Sequence, residues 1–201
     1  NYLGTDSIDK TKRTSIKNTI GIALQEGFNK WAKAGLTAFL SYEYRNFALT
    51  DTTNIPGQRI INNYKESSLS IGGELSKKQG KLLHYNILGE LAIAGEDAGQ
   101  FSVEGRGDLN LRLFGDTVRL DVNAFIKNQN PVFYFRHFQS KHYWWDNNDL
   151  SKIMRTRLEG KLSLNRWGTQ LRAGVENIKN YTYLANASIP VKDSEGNVTG
   201  F

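Results

Sequence analysis

Cysteine is absent from the 201 residues, and proline and methionine are scarce, with three prolines and one methionine. Without cysteine the chain has no disulfide framework, no thiol nucleophile and no cysteine-ligated metal. No run approaches the ~20 consecutive apolar residues that a membrane-spanning helix needs, and hydrophobic residues make up only 39% of the chain. These absences exclude a helical membrane protein. They leave a transmembrane β-barrel open, because only every second residue of a barrel strand faces lipid.

Glycine and aromatic residues are abundant, with 19 Gly, 10 Phe, 9 Tyr and 4 Trp, a composition that suits strands and turns. Between residues 101 and 113 apolar and polar side chains alternate. One parity holds Phe101, Val103, Gly105, Gly107, Leu109, Leu111 and Leu113, and the other holds Ser102, Glu104, Arg106, Asp108, Asn110 and Arg112. Since successive side chains of a strand point to opposite faces, this segment is predicted to be a strand with one apolar and one ionic face.

The same alternation recurs in about eight segments of roughly 12 residues, as barrel strands require. The predicted strands are 14–25, 32–48, 67–78, 82–94, 100–113, 117–127, 151–165 and 169–179. Short glycine-containing turns alternate with longer polar connections, across 50–66, 95–99 and 128–150, an asymmetry typical of outer-membrane barrels. The sequence therefore predicts an all-β fold, an antiparallel up-and-down transmembrane β-barrel that occupies residues 1–201 as one region. Because the chain begins and ends in polar segments, we expect it to be part of a larger barrel.

Alternation alone does not say whether the apolar parity meets lipid or the core of a soluble barrel or sandwich. Three features favour lipid. The predicted strands exceed the about 5–6 residues usual in soluble sheets, and the connections differ in length between the two ends. Small residues on the apolar parity, such as Ala38, Gly105 and Gly160, would fill a protein core poorly. We therefore expect the apolar parity to contact acyl chains and the ionic parity to enclose water.

The ionic parity would then line a lumen. The predicted pore-lining residues are Lys33, Arg45, Glu104, Arg106, Asp108, Arg112, Arg119, Asp121, Arg155, Arg157 and Glu159. Basic and acidic side chains are interleaved and the formal net charge is +6, which predicts a hydrated pore with a weak preference for anions. The alternative is that these charges pair across strands and confer no selectivity.

The most distinctive segment runs from Asn128 to Leu150 and reads NQNPVFYFRHFQSKHYWWDNNDL. It contains His142, Tyr143 and a Trp-Asp-Asn run at 145–147, and the strand that follows carries Arg155, Arg157 and Gly160. In these features the chain resembles the putative porin family of Bacteroidetes outer membranes. The opening NYLGTD and the closing GVENIKNYTYL extend the resemblance over most of the chain. The resemblance implies a much longer parent barrel and no catalytic residues.

This long segment could fold inward and narrow the pore, or pack on its rim. Its candidate contacts to a sugar or nucleotide ligand are Arg136, His142, Trp144 and Trp145, which are residue types suited to stacking and hydrogen bonding. The alternative is that its aromatic side chains pack against their neighbours.

The sequence supplies no constellation for catalysis or cofactor binding. His137, His142 and Asp146 match no strong metal-ligand spacing, and Ser140 beside His142 says nothing about triad geometry. Neither a phosphate-binding P-loop nor a dinucleotide fingerprint is present. Nucleic-acid binding is disfavoured because arginine and lysine alternate with carboxylates on the same strand faces. We expect no catalytic residue, no metal and no cofactor.

These observations favour a porin-like channel of the bacterial outer membrane that passes small polar solutes by diffusion. Its partners would be membrane lipids, lipopolysaccharide and the solutes themselves, and the sequence leaves a homo-oligomer open. The second interpretation is a non-conducting or soluble β-barrel that binds a ligand or partner through its long loops. An outer-membrane enzyme ranks third.

Overall fold

The computed structural model describes residues 11–28, 33–51, 60–113, 115–139, 144–184, 191–192, 194–195 and 198–200. Its long strands are β1 (Lys12–Leu24), β2 (Gly35–Asp51), β3 (Ile60–Lys77), β4 (Leu83–Gly95), β5 (Phe101–Leu113) and β6 (Asp116–Gln129), followed after a gap by β9 (Ile153–Leu164) and β10 (Thr169–Lys179). Between β6 and β9 lie a helical turn, α1 (Phe133–Arg136), and two short strands, β7 (His137–Gln139) and β8 (Trp144–Asp146). A 3₁₀ turn (Asn165–Trp167) precedes β10, and a small hairpin of β11 (Val191–Lys192) and β12 (Val198–Gly200) lies near the end.

The long strands form one antiparallel sheet of eight strands in the order β1-β2-β3-β4-β5-β6-β9-β10. This confirms the predicted all-β, up-and-down architecture. Within the part of the chain that the structure describes, β1 and β10 have no outer neighbour, so the sheet is an open segment of a barrel wall. No helix in those same ranges has the length and apolarity to cross a membrane.

Two predicted loops proved shorter than expected. The β2–β3 hairpin extends to Asp51 and resumes at Ile60, so the prediction of a loop over 60–66 was wrong. That polar stretch forms strand because Asn62, Tyr64 and Glu66 find partners on the sheet face they share. The connection between β4 and β5 is a turn over residues 96–99 and not a long loop. Gly95 and Gly99 open and close that turn with φ of 86° and 78°, values that only glycine adopts readily.

The register places the apolar parity of all eight strands on one face. Leu36 lies opposite Leu24 and Leu75, and Leu120 lies opposite Leu109 and Leu162. Large apolar side chains on this face are exposed, for example Leu36 at 51% and Ile20 at 78%. A soluble protein rarely leaves so extensive an apolar surface uncovered. The strands therefore have the apolar-out, polar-in arrangement of a barrel wall.

The opposite, ionic face is concave. Lys17 on β1 reaches Glu90 on β4, with 3.4 Å between Nζ and Oε1, although two strands separate them. In a flat sheet strands three positions apart lie about 14 Å from each other, so this contact requires the sheet to curl around the ionic side. Phe39 helps to fill the inside of the curl, where its ring covers Gly72.

A small core sits on the concave face near the ends of β2 and β3. Phe47, Leu49 and Phe133 are buried, and Tyr64 and Tyr134 pack against them. Phe133 comes from α1, so the connection between β6 and β9 folds over the sheet and packs on strands three and four positions away.

Candidate functional site

Ten of the predicted pore-lining residues lie on the concave face. The register puts Arg45, Glu104, Arg106, Asp108, Arg112, Arg119, Asp121, Arg155, Arg157 and Glu159 on the side opposite the apolar rows. Lys33 precedes β2, outside any strand, and is exposed. The alternation in the sequence therefore assigned the ten strand residues to the correct face. Their function as a pore lining stays a prediction.

Charge is unevenly distributed around the concave face. The described inward side chains of β2–β4 carry four carboxylates and one arginine: Glu43, Glu66, Glu74, Glu90 and Arg45. Those of β9 and β10 carry four cations and two carboxylates: Arg155, Arg157, Lys161, Arg172, Glu159 and Glu176. Many of these groups form ion pairs, such as Arg155 with Glu176 at 2.5 Å and Arg45 with Glu66 at 3.1 Å. The inward side chains of β2–β4 are thus mainly acidic and those of β9 and β10 mainly basic, while the neighbouring β1 adds two inward cations, Arg13 and Lys17.

The segment between β6 and β9 folds inward over the concave face, and aromatic stacking holds it there. The Phe133 ring stacks on Phe47 of β2, with centroids 3.8 Å apart and planes 5° from parallel. Tyr64 of β3 contacts Phe133 edge-on at 5.6 Å and stacks with His137. The amide of Asn62 donates to Gln139 Oε1 at 3.1 Å. We call residues 130–139, together with β8, the inward segment.

Arg136 anchors the inward segment to the wall. Its side chain is 8% exposed and donates through Nη2 to Glu66 of β3 at 2.6 Å and through Nη1 to Glu96 of the β4–β5 turn at 2.7 Å. Its Nε donates to the carbonyl oxygen of Pro131 at 3.2 Å. A buried arginine requires such compensation, because an unpaired buried charge costs several kcal/mol. The segment can leave the face only by breaking these contacts together.

A second arginine extends this network. Arg45 of β2 pairs with Glu66 at 3.1 Å and with Asp97 of the β4–β5 turn at 2.7 Å. Burial raises the pKa of the Asp97 carboxyl, but the hydrogen bond and charge of Arg45 outweigh it, so the net pKa lies below its ordinary value. Two arginines and three carboxylates therefore join β2, β3, the turn and the inward segment.

Two cavities lie along the concave face. A cavity of about 210 Å³ is lined by residues of β1–β6 and the β4–β5 turn, including Lys17, Glu43, Arg45, Glu90 and Asp97. A wider, more open one of about 710 Å³ lies toward the short-turn end, where His84, Arg106, Asp108, Lys161 and Arg172 are among its lining residues. The smaller cavity thus lies beside the β4–β5 turn, which Arg136 contacts through Glu96, and the larger one lies toward the short-turn end.

Comparison with known families gives the family. A protein-family model described as "Putative porin" matches residues 1–200. The chain belongs to that family. No curated protein and no solved structure matches it. Membership supports a porin-like role and an outer-membrane location in general terms, and it favours a role without catalysis.

In this porin-family chain the predicted ligand contacts of the long loop have different environments. Arg136 is buried in ion pairs, and Trp145 donates to the carbonyl oxygen of Tyr134 at 3.0 Å and stacks on Phe138. Both environments favour the packing alternative. Trp144 is 69% exposed. His142 lies outside the described residues. His137 pairs with Asp146 at 2.8 Å, and the described ranges contain no group of three side chains that could hold a metal ion.

Sequence reasoning missed the residues that receive the inward segment. Glu66 and Glu96 fell in stretches predicted to be loops or their margins, so neither was chosen as a partner of Arg136. Phe47 was not among the candidate site residues. A usable signal was its parity, since Phe47 and Leu49 interrupt the ionic face of β2 with apolar side chains. Apolar residues on an otherwise ionic face indicate that something covers them.

Proposed function

We propose that the concave face of this sheet lines a water-filled channel for passive diffusion of small polar solutes across the bacterial outer membrane, and that the convex face contacts lipid. The observation that carries the proposal is the register, which keeps most leucine, isoleucine and valine residues on one face and most charged groups on the other through eight strands. In the hydrocarbon core of a bilayer every backbone N–H and C=O group needs a hydrogen-bond partner, and in a barrel the neighbouring strands supply it.

The inward segment is the proposed constriction. It is anchored to β3 and to the β4–β5 turn through Arg136, and it occupies space that a channel would otherwise leave open. Rigid anchoring suits a size filter, because a freely moving loop would block the pore intermittently. The acidic β2–β4 and basic β9–β10 would impose an electric field across the passing solute, which disfavours large apolar molecules.

We also propose that the wall continues beyond both β1 and β10 with further strands of the same barrel. A closed barrel of about eight strands is filled by its own side chains and conducts little. The inward segment and the wide cavity need more interior space than such a barrel offers. Homo-oligomer formation is compatible with this arrangement.

Cysteine accessibility tests the orientation of the two faces. Because the chain has no cysteine, single substitutions such as Asn123→Cys on the concave face and Leu40→Cys on the convex face introduce unique labels. In the protein reconstituted in bilayers, a charged, water-soluble thiol reagent should modify Asn123→Cys and change the single-channel current. The same reagent should leave Leu40→Cys unmodified. The opposite labelling pattern would contradict the proposal.

The second candidate is a non-conducting barrel that binds a ligand through its loops. The exposure of Trp144 is the observation that favours it. Absence of conductance in planar bilayers, combined with quenching of tryptophan fluorescence by a sugar that is lost in Trp144→Ala, would support this candidate over the channel.

A further inference from the structure

Most cations on the described part of the concave face have a carboxylate partner, whereas Arg106 and Lys161, like Arg112, have none. Arg119, Arg155, Arg157 and Arg172 each form an ion pair with a carboxylate. Within the described ranges the side chains of Arg106 and Lys161 form neither an ion pair nor a hydrogen bond. Both line the wide cavity toward the short-turn end.

The carboxylates of the same cavity are already neutralised. Asp108 accepts from His84 Nδ1 at 2.9 Å and from Asn110 at 3.1 Å. Arg119 Nε donates to Asp121 at 2.8 Å. Glu159 pairs with both Arg157 and Arg172 at 2.5 Å. Among its described lining residues, an anion entering the cavity would therefore meet cations without counter-ions and no carboxylate without a cation or donor beside it. These cations are Arg106 and Lys161 on the sheet face, with Lys77 and Lys78 at the end of β3.

The register brings these cations toward one another. Arg106 of β5 lies opposite Asn123 of β6, and Asn123 lies opposite Glu159 of β9, two residues before Lys161. Arg106 and Lys161 are thus two strands apart and offset by two residues along the strand, roughly 12 Å at the backbone, and both project into the inside of a curved sheet. Asn123 stands between them, is exposed, and has no hydrogen-bond partner among the described residues. Its amide adds a neutral donor to the two cations.

From this arrangement we propose that Arg106, Lys161 and Asn123 form a binding station for small oxyanions, such as phosphate or a carboxylate, at the wide end of the channel. The planar guanidinium binds two oxygens of an oxyanion in parallel, and the ammonium adds a mobile point charge. The proposal rests on the proposed channel function and gives it a solute class. An open cavity with few cations favours weak, reversible binding, which conduction requires.

Phosphate block of the channel tests the station. In planar bilayers containing the full-length protein in potassium chloride, inorganic phosphate should reduce the chloride current in a saturable manner. The double variant Arg106→Gln/Lys161→Gln should raise the half-blocking phosphate concentration about tenfold or more, since two charge-assisted contacts are lost. It should also move the reversal potential toward that of potassium.

A matched control variant removes the same number of positive charges from the convex face. Lys65 and Lys179 lie on the convex parity of β3 and β10, so Lys65→Gln/Lys179→Gln should leave both block and reversal potential unchanged. Heat-modifiable electrophoretic mobility verifies folding of each variant, and the charge-keeping pair Arg106→Lys/Lys161→Arg should retain anion preference. The station would be overturned if the double variant behaved like the control.

Absence of channel activity can be distinguished from failure of the proposed binding station. If no variant conducts, the proposed function fails, and calorimetric titration of the detergent-solubilised protein with phosphate still tests the station. Binding by the wild type and the control, but not by the double variant, would support the station without a channel. Equal binding by all three proteins, or by none, would refute it.

Discussion

At Gly72 the wall depends on the absence of a side chain. A Cβ at this position would overlap the ring of Phe39 and lie 2.7 Å from the carbonyl oxygen of Gly89. Phe39 lies directly opposite Gly72 in the register and projects onto the concave face. Glycine here lets an aromatic ring lie against the backbone where the sheet curls, a device by which barrels combine curvature with packing.

Substitution of Gly72 is therefore expected to destabilise the sheet. Gly72→Ala should lower the stability of the folded protein by about 1–3 kcal/mol, the usual cost of overpacking a filled site. Gly105→Ala is the matched control, since a Cβ there would meet nothing within 4 Å. The measurement is urea unfolding in lipid vesicles. Equal stability of the two variants would show that Phe39 moves aside without cost.

The ion pair between Asp97 and Arg45 makes the stability of the long-loop end of the sheet depend on pH. Its pKa is lowered from the ordinary value of 3.8, so the ion pair with Arg45 contributes stability above that value and loses it as pH falls through the lowered pKa. We expect Asp97→Asn to be less stable than the wild type at neutral pH, with the difference disappearing in acid. Asp149→Asn, in an exposed turn, serves as the control. A difference that persists in acid would assign the effect to packing.

The inward segment is the element whose position depends most on a single side chain. Aromatic stacking on Phe47 places it, and Arg136 ties it to β3 and to the β4–β5 turn. Glu66 would keep its pair with Arg45 at 3.1 Å if Arg136 were removed. The wall can therefore survive loss of Arg136, although the segment loses its anchor.

Removal of the anchor should widen the channel. Arg136→Met is expected to raise single-channel conductance and current noise, because the segment then keeps only aromatic stacking and neutral hydrogen bonds, to Asn62, to Tyr64 and from Asn130 to the Glu96 carbonyl oxygen. Lys65→Met, a change at an exposed residue adjacent to Glu66, should leave conductance unchanged. If a free carboxylate at Glu96 disturbs folding, the double variant Arg136→Met/Glu96→Gln removes that charge as well. Unchanged conductance in both variants would exclude a constricting role.

At the scale of the whole molecule, the strands that pair with the two edge strands, β1 and β10, decide whether the barrel has eight strands or more. The residues of β1 and β10 are exposed throughout, which fits edges that other strands cover. Cysteines at Thr19 and at Gly174 should not form a disulfide in the full-length protein under mild oxidation, and neither should cysteines at Thr19 and at 172 or 176. The control pair, at Thr19 and Ser41, should cross-link readily, since their hydroxyls are 2.7 Å apart. Cross-linking of β1 to β10 would indicate an eight-stranded closure.

Period-two alternation predicted the strand number, the antiparallel order and the two faces. It succeeded because a residue such as Leu120 or Arg119 has its face fixed by parity alone, whatever its neighbours are. The start of β3 was not predictable in this way, since Asn62, Tyr64 and Glu66 become favourable in a strand only when the inward segment covers them.

The Arg136 network lay beyond prediction for a related reason. Glu66 and Glu96 are 70 and 40 residues from Arg136, and nothing in their local sequence distinguishes them from solvated carboxylates. Whether these carboxylates pair with Arg136 depends on where the inward segment crosses the sheet. The unpaired state of Arg106 and Lys161 depends likewise on which neighbouring carboxylates other cations have taken.

The path of the β6–β9 connection has a consequence for assembly. Its residues cross the interior and return so that β9 pairs with β6 directly. A completed cylinder would have to admit this bulky aromatic stretch through a narrow opening, whereas an unclosed sheet presents it with free access. We therefore expect this connection to pack on the sheet before the last pair of strands closes the barrel.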